Sequence, residues 1–353
     1  MVDVFGIGMI GLGRWANAHG DAAARSDRVR IVSCFARTEA ARDDYQRRYG
    51  VDRTAGSIDE LLSDPDVHGV VISTPNDLHV EHALAAVRAG KPALIDKPVS
   101  VDTAEGLTLL RAAVSAGVAV GVAHHPRRLA GLRAAKRWLE SSESGRVRLA
   151  HADFSNNRSA HMRPDAWHRS ARGSEAGVLI QVGIHQVENM LYLLGPAVSV
   201  NARFRHDTLG PTMPDLAAVT MVHASGAVSS VTSSWTTPGY FSVELLATGG
   251  NLTYRLDHRR WTSGDVDDFG EAWLHPTDGE RTPLPTGKGD PLREQLEELP
   301  AGTMEVDVVA GLRATMVVEA SVQSAQSGGA AIDLASLAQA AGATPEEISL
   351  LLT

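Results

Sequence analysis

The chain holds one cysteine, Cys34, in 353 residues, so an internal disulfide is excluded. Cys34 lies in a stretch that reads as a strand, where a buried structural thiol is expected rather than a nucleophile. A reducing compartment, the cytoplasm, fits that usage. No apolar run is long enough to span a bilayer. The apolar opening "MVDVFGIGMIGLG" carries Asp3 where a leader would be basic and is broken by glycines, so it reads as a strand and not a signal peptide. Basic residues are also scarce, 33 Lys and Arg against 42 Asp and Glu for a net charge of -9. They are scattered, whereas a general nucleic-acid binder needs a dense cationic surface to release counterions. Among 14 histidines, neither "HVEH" nor "AHHP" has HExxH or Cys/His spacing, and no metal is expected. Repeats and low-complexity linkers are missing too. A small-molecule partner is what these absences leave.

What is present is globular: 43% hydrophobic and 21% charged residues in a chain too long for one ordinary core, hence two domains. Short apolar runs, "VFGIGMI", "RIVSCFA", "GVVIST", "PALID" and "GVAVGVA", alternate with amphipathic segments such as "EAARDDYQRRYG" at 39–50 and "DLHVEHALAAVRAG" at 77–90. Strands separated by helices of this length build right-handed βαβ units and a parallel, doubly wound Rossmann sheet. It is expected to end near residue 123, giving domains 1–123 and 124–353. Alternating runs at 217–222, 227–234 and 242–247, with turns at "ASG" and "TGG", indicate a second sheet. The stretch 258–303, rich in Gly, Pro and Asp, reads as long connections with one short helix at 291–299.

The first strand runs into "GLGRWA", a GxGxxA pattern at a strand-to-helix turn. Gly11 permits the tight turn, Gly13 lets the backbone approach a pyrophosphate, and Ala16 allows close helix packing. The helix N-terminus then faces the phosphates. A dinucleotide is expected. An acidic residue at the end of the second strand would hold the ribose hydroxyls of NAD, but "CFARTEA" offers Ala36 and then Arg37, a cation able to pair with a 2′-phosphate or stack on adenine. NADP is therefore favoured over NAD. The other reading makes Arg37 an exposed residue opening the next helix, with Thr38 as its N-cap.

Lys97 in "DKP" follows a strand at the carboxyl edge of the sheet, where such sheets bind ligands, and Pro98 restricts its backbone. A structural lysine paired with Asp96 is the alternative. In "GVLIQVGIHQVENMLYLLG", residues 177–195, Ile180, Ile184, Val187, Leu191 and Leu194 form a buried helical stripe. Gln181, His185 and Glu188, at i, i+4 and i+7, share another face. Imidazole titrates near neutrality and suits proton transfer, although a satisfied core histidine is the common alternative. Glu188 reads equally as a capping or interdomain ion pair.

These residues resemble the Gfo/Idh/MocA family of oxidoreductases. "GLGRWANAH" is similar to its cofactor turn followed by a histidine, "STPNDLHVEHALAAVRAGKPALIDKPVS" to its TPxxxH and EKP region, and "GVLIQVGIHQVENMLYLLG" to its GGxLxDxGxHxxD helix. "GAVSSVTSSW", "ATGGNL" and "VVAGLRATMVVEASVQSAQSG" look like its sheet and terminal helices, so the resemblance covers about residues 1–334. It implies an α+β second domain on an open, mostly antiparallel sheet whose exposed face mediates homodimers or homotetramers. It implies cofactor contacts from Gly11, Leu12, Gly13, Arg14, Trp15, Arg37, Thr74, Pro75, Asn76, His79, Asp96 and Lys97. Lys97 would touch nicotinamide ribose and the reacting hydroxyl, and His185 would take its proton. Two departures stand out: Asp96 replaces the usual Glu, and Gln181 replaces the usual Asp, losing a charge while keeping one acceptor. Arg163, Trp167 and His168, in the loop before the helix, would shape the substrate pocket. The expected activity is oxidation of a secondary hydroxyl on a sugar, cyclitol or related cyclic diol. A nucleotide-binding regulator without chemistry and a redox-assisted glycoside hydrolase are the rival readings.

Overall fold

A computed structural model describes residues 4–163, 166, 169, 172–257 and 270–353. The chain forms two compact units: Met1–Val101, Glu105–His125 and Asp290–Leu312 make the first, and Asp102–Ala104, Pro126–Gly289 and Arg313–Thr353 the second.

The first unit carries β1 (Phe5–Ile10), β2 (Val29–Phe35), β3 (Arg53–Thr54), β4 (Gly69–Ile72), β5 (Ala93–Ile95) and β6 (Val120–Val122), interleaved with α1 (Arg14–Ala23), α2 (Glu39–Tyr49), α3 (Ile58–Ser63), α4 (His79–Arg88) and α5 (Thr103–Ala116, its first two residues in the second unit). The strands pair in parallel in the order β3-β2-β1-β4-β5-β6. This is the doubly wound Rossmann order, whose switch point lies between β1 and β4. Ile7, Met9, Ile10, Val70, Val71, Ile72, Ala93 and Ile95 are fully buried, as expected of strands covered on both faces. Cys34 is buried as well, and burial pushes its thiol up to about 11, which makes it unreactive.

The single cut after residue 123 expected from the sequence gives way to a returning segment. Val122 N–H donates to Val306 O at 2.9 Å and Gly121 bridges Asp307, so this segment covers the β6 edge. Arg25 grips Asp290 with two hydrogen bonds of 2.7 and 2.9 Å. Leu292, Leu296 and Leu299 join the core cluster, each contributing about 2 kcal/mol by burial. The sequence places a helix at 291–299; the helix α8 runs Pro291–Leu296 and a separate 3-10 turn covers Leu299–Ala301.

The second unit holds α6 (Ala130–Glu140), β7 (Val147–Ser155), α7 (Ile184–Leu194), β8 (Ala197–Arg205), β9 (Leu216–His223), β10 (Val228–Ser234), β11 (Tyr240–Ala247), β12 (Gly250–Leu256), β13 (Gly270–Pro276), β14 (Thr282–Pro283) and β15 (Ile332–Asp333). Near the C-terminus lie α9 (Val308–Gln326, its first residues in the first unit), α10 (Leu334–Ala340) and α11 (Pro345–Leu352). The nine strands run β14-β13-β12-β11-β7-β10-β9-β8-β15, antiparallel except for β7 with β10. Two strands, β13 and β14, occupy part of the stretch read as connections; residues 258–269 of that stretch lie outside the described residues. Along β7, Ala150, Ala152 and Phe154 are buried while Leu149 and His151 face outward. No helix among the described residues is long and apolar enough to cross a membrane.

Candidate active site

Each unit holds its own set of candidate residues, and the set in the first centres on the turn after β1. Gly11 has φ +86°, and a Cβ there would lie 2.6 Å from Ser73 O, so only glycine fits. Gly13 differs. It is the N-cap of α1 with extended backbone, and among the described residues no side chain caps the helix and a Cβ would meet nothing within 4 Å. The protein's own packing therefore makes no demand for glycine at 13. What glycine preserves is open backbone before uncapped amides, the cradle a pyrophosphate needs. Beside it Leu12 and Trp15 are half-buried and Arg14 is exposed; the Trp15 ring lies 5.4 Å from His125. Ala16 is fully buried, and Tyr45 donates to its carbonyl at 2.8 Å. The residues fit a dinucleotide, which Gly11, Leu12, Gly13 and Arg14 would hold.

At the end of β2, Arg37 is exposed and makes no hydrogen bond or ion pair among the described residues. Thr38 occupies the N-cap of α2, but its side chain makes no capping bond. Beyond β4, Thr74 and Pro75 are half-buried and lead into a 3-10 turn over Asn76–Leu78. His79 is fully buried, with Nδ1 2.7 Å from Pro98 O and Nε2 2.9 Å from Thr74 O. Burial pushes its pKa below the ordinary value against the pull of the Pro98 carbonyl and Asp96. Its ring thus ties the Thr74 turn to Pro98 from below the surface.

Lys97 follows β5, half-buried, with a cis bond to Pro98. Asp96 is committed elsewhere than the lysine pairing read from the sequence: Oδ1 lies 2.9 Å from His19 Nε2, and Oδ2 accepts from Ser73 Oγ at 2.6 Å. Burial alone would raise the Asp96 pKa, but His19 and Ser73 hold it below the usual carboxylate range. The sequence showed His19 only as the histidine after the turn, and gave Ser73 no role.

In the second unit, the helix bearing His185 departs from a uniform α-helix. Leu179–Gly183 form a π turn before α7, so the facing inferred from regular spacing is re-aimed by one widened turn. A Cβ on Gly183 would lie 2.6 Å from Ser233 Oγ of β10, and this close approach seats the turn on the sheet. The helix is also buried nearly all round, polar side included. His185 is 3% exposed with its ring 6.3 Å from that of Phe154. Gln186 donates to Asp153 O at 2.8 Å and Ser242 O at 3.1 Å, and Asn189 donates to Gln186. From 176 to 191 only Gln181 keeps partial exposure. Glu188, read as a capping or interdomain pair, instead forms a buried ion pair inside this unit with Arg127, whose Nε lies 2.8 Å away and whose guanidinium sits 4.7 Å above the Tyr192 ring. Arg163 is exposed, and Trp167 and His168 lie outside the described residues. No group of three or more His, Cys, Asp or Glu side chains that could hold a metal ion occurs among the described residues.

A Rossmann sheet, an open phosphate turn and a lysine at the carboxyl edge are the features of a dinucleotide-binding domain. Comparison with known families agrees: the oxidoreductase family model for the NAD-binding Rossmann fold of Gfo/Idh/MocA proteins matches residues 5–124, and that for their C-terminal domain matches 132–253. The chain belongs to the Gfo/Idh/MocA family of NAD(P)-dependent oxidoreductases. Among curated relatives, a 1,5-anhydro-D-fructose reductase of Ensifer adhaerens is 30% identical over 55% of this chain and 58% of its own length. A levoglucosan dehydrogenase of Pseudarthrobacter phenanthrenivorans is 27% identical over 72% of this chain and 74% of its own. The match thus spans little more than half of the first relative. Among solved structures, a protein of Desulfitobacterium hafniense named for a proposed NADPH-dependent oxidoreductase activity aligns with TM-score 0.90 at 29% identity, covering 96% of this chain and 100% of its own. Levoglucosan dehydrogenase with NADH aligns at TM-score 0.82 and 22% identity, over 94% and 99%, a likeness of fold.

Proposed function

We propose that the protein is an NAD(P)-dependent dehydrogenase that oxidises a secondary hydroxyl of a sugar, cyclitol or related cyclic diol, with NADP preferred. The observation that carries this reading is Gly13, whose glycine leaves space the protein does not use, in a family with relatives named for levoglucosan and scyllo-inositol dehydrogenases. Bound nicotinamide supplies the hydride acceptor. Lys97 polarises the substrate oxygen, His185 accepts the hydroxyl proton, and Gln181, the partly exposed residue of its helix, orients the hydroxyl by hydrogen bonding without charge. Arg163, Trp167 and His168 stand as substrate contacts. The preference for NADP is supported by Arg37, a cation with no engagement of its own among the described residues, where NAD would need an acid.

A homo-oligomer formed through the open face of the second sheet is part of the same reading. Leu246, Leu149, Val228 and Val222 are aligned across β11, β7, β10 and β9, and Leu149 and Val222 are 44% and 37% exposed.

The test is reduction of NADP and NAD against a panel of sugars, anhydrosugars and inositols. Turnover on at least one member is expected, with Lys97→Ala losing about a hundredfold or more in kcat, as for other preorganised electrostatic groups, at unchanged Tm. Tight NADP binding without turnover on the whole panel supports a regulator instead, and release of an aglycone without net NADPH supports the glycoside hydrolase.

A further inference from the structure

We propose that His19 is a positioning residue for Lys97: through the Asp96 carboxylate it locks the peptide bearing the lysine to the helix that begins at the phosphate turn. The proposal rests on the dehydrogenase reading and goes beyond it.

The connections come from separate elements. His19 lies on the second turn of α1 and is fully buried. Asp96, its side chain 13% exposed, takes one hydrogen bond per oxygen, from His19 of α1 and from Ser73 beyond β4. The main chain repeats the tie, since Asp96 N–H donates to Ile72 O and Ser73 N–H to Ile10 O, both at 2.8 Å. On the other side of Lys97, the Pro98 carbonyl is held by His79 at the start of α4. Lys97 therefore sits between two anchored neighbours.

An ionised carboxylate has no proton to give, so His19 donates through Nε2. Its Nδ1 is buried and finds no hydrogen-bond partner among the described residues. Leaving a buried polar atom unmatched costs about 1–3 kcal/mol, which an apolar residue at 19 would avoid. The histidine thus serves Asp96 and not its own packing. Its Nε2 is taken up by Asp96, so its action runs through the carboxylate.

The experiment compares His19→Leu, which removes the donor, with His19→Gln, whose amide nitrogen reaches the place of Nε2. The readouts are kcat, substrate KM, NADPH affinity by fluorescence titration, and crystal structures with NADPH. His19→Leu is expected to lower kcat about 10- to 100-fold, the scale of an ångström's misplacement, with KM and NADPH affinity within about threefold and Lys97 displaced. His19→Gln is expected to recover most of the loss. Equal kcat in all three proteins, equal loss in both variants, or a loss confined to NADPH affinity overturns the proposal. Should His19→Leu not fold, Asp96→Asn serves: a similar fall in kcat supports the clamp, and full activity refutes it. Should the parent protein turn over no panel member, the dehydrogenase reading fails separately, and the crystal structures decide: Lys97 displaced supports the clamp, Lys97 in place sinks it.

Discussion

Gly13 and Arg37 bear on two parts of the proposed cofactor reading, and each does so by what surrounds it. A glycine with empty space at its Cβ argues for close approach of the backbone to a ligand, and an exposed arginine without partners among the described residues argues for a ligand's charge. Arg37→Asp should therefore weaken NADP by about 10- to 100-fold, the worth of a hydrogen bond to a charged group, while NAD changes by much less. Titration of both dinucleotides checks this; equal losses, or a parent protein that already prefers NAD, refute it. Residues of this kind were legible in the sequence because a turn is a local event: Gly11, Gly13 and Ala16 follow from strand, turn and helix in order. The partners of Asp96 and Glu188 were not. His19 is 77 positions from Asp96 and Arg127 is 61 from Glu188, and nothing in local spacing ranks one distant donor over another.

Elements were legible where periodicity and burial agree. The strands of the parallel sheet are largely apolar runs except β3, Arg53–Thr54, which is too short and polar to show, and β9, β10 and β11 alternate, so both patterns showed in the sequence. The π turn at Leu179–Gly183 did not, because the close packing that goes with it, Gly183 against Ser233, involves a strand fifty residues away in sequence. β13 escaped because the stretch around it, Asp-rich before and Gly- and Pro-rich after, read as loop. The alternation of β7 also has a consequence for assembly. Its buried face packs against α7, leaving Leu149 in an apolar row on the other face. Such a row in a half-covered sheet is an association surface when it is continuous. Leu149→Arg should leave the Tm within a few degrees and shift the protein to a smaller species in sedimentation velocity at micromolar concentration. A parent protein that is already monomeric, or an unchanged species in the variant, removes this face from the reading.

Across the whole molecule, both units bury groups whose protonation opposes the native state, so acid should act on both in the same direction. Burial pushes His82 of the first unit and His223 of the second below the ordinary histidine value. His223 shows why the neutral ring is satisfied: Nδ1 lies 2.7 Å from Gly195 O, to which it donates, and Nε2 lies 2.7 Å from Ser229 Oγ, from which it accepts. Protonation would turn that acceptor into a second donor. Since the unfolded chain binds protons near pH 6.5 and the native one only below that, unfolding takes up protons as pH falls, and stability rises with pH there. The contribution is complete above about pH 6.5 and is lost below it, at up to about 1.4 kcal/mol per pH unit for each proton taken up. A second window follows lower down. Asp96 and Asp215 would be raised by burial, but hydrogen bonds and, for Asp96, the nearby His19 hold them below the usual carboxylate range; Asp215 accepts main-chain N–H groups from Asp207, Thr208 and Leu209. Their stabilisation is present above about pH 4 and disappears as pH falls through their native values. Denaturant midpoints are therefore expected to decline from pH 7.5 to 5.5 and more steeply below pH 4. His223→Gln should flatten the first decline, at the expense of some stability at pH 7.5, without altering the second. A parent profile that is level between pH 7.5 and 5.5, or a His223→Gln slope identical to the parent's, would show that these imidazoles titrate alike in the native and unfolded chains.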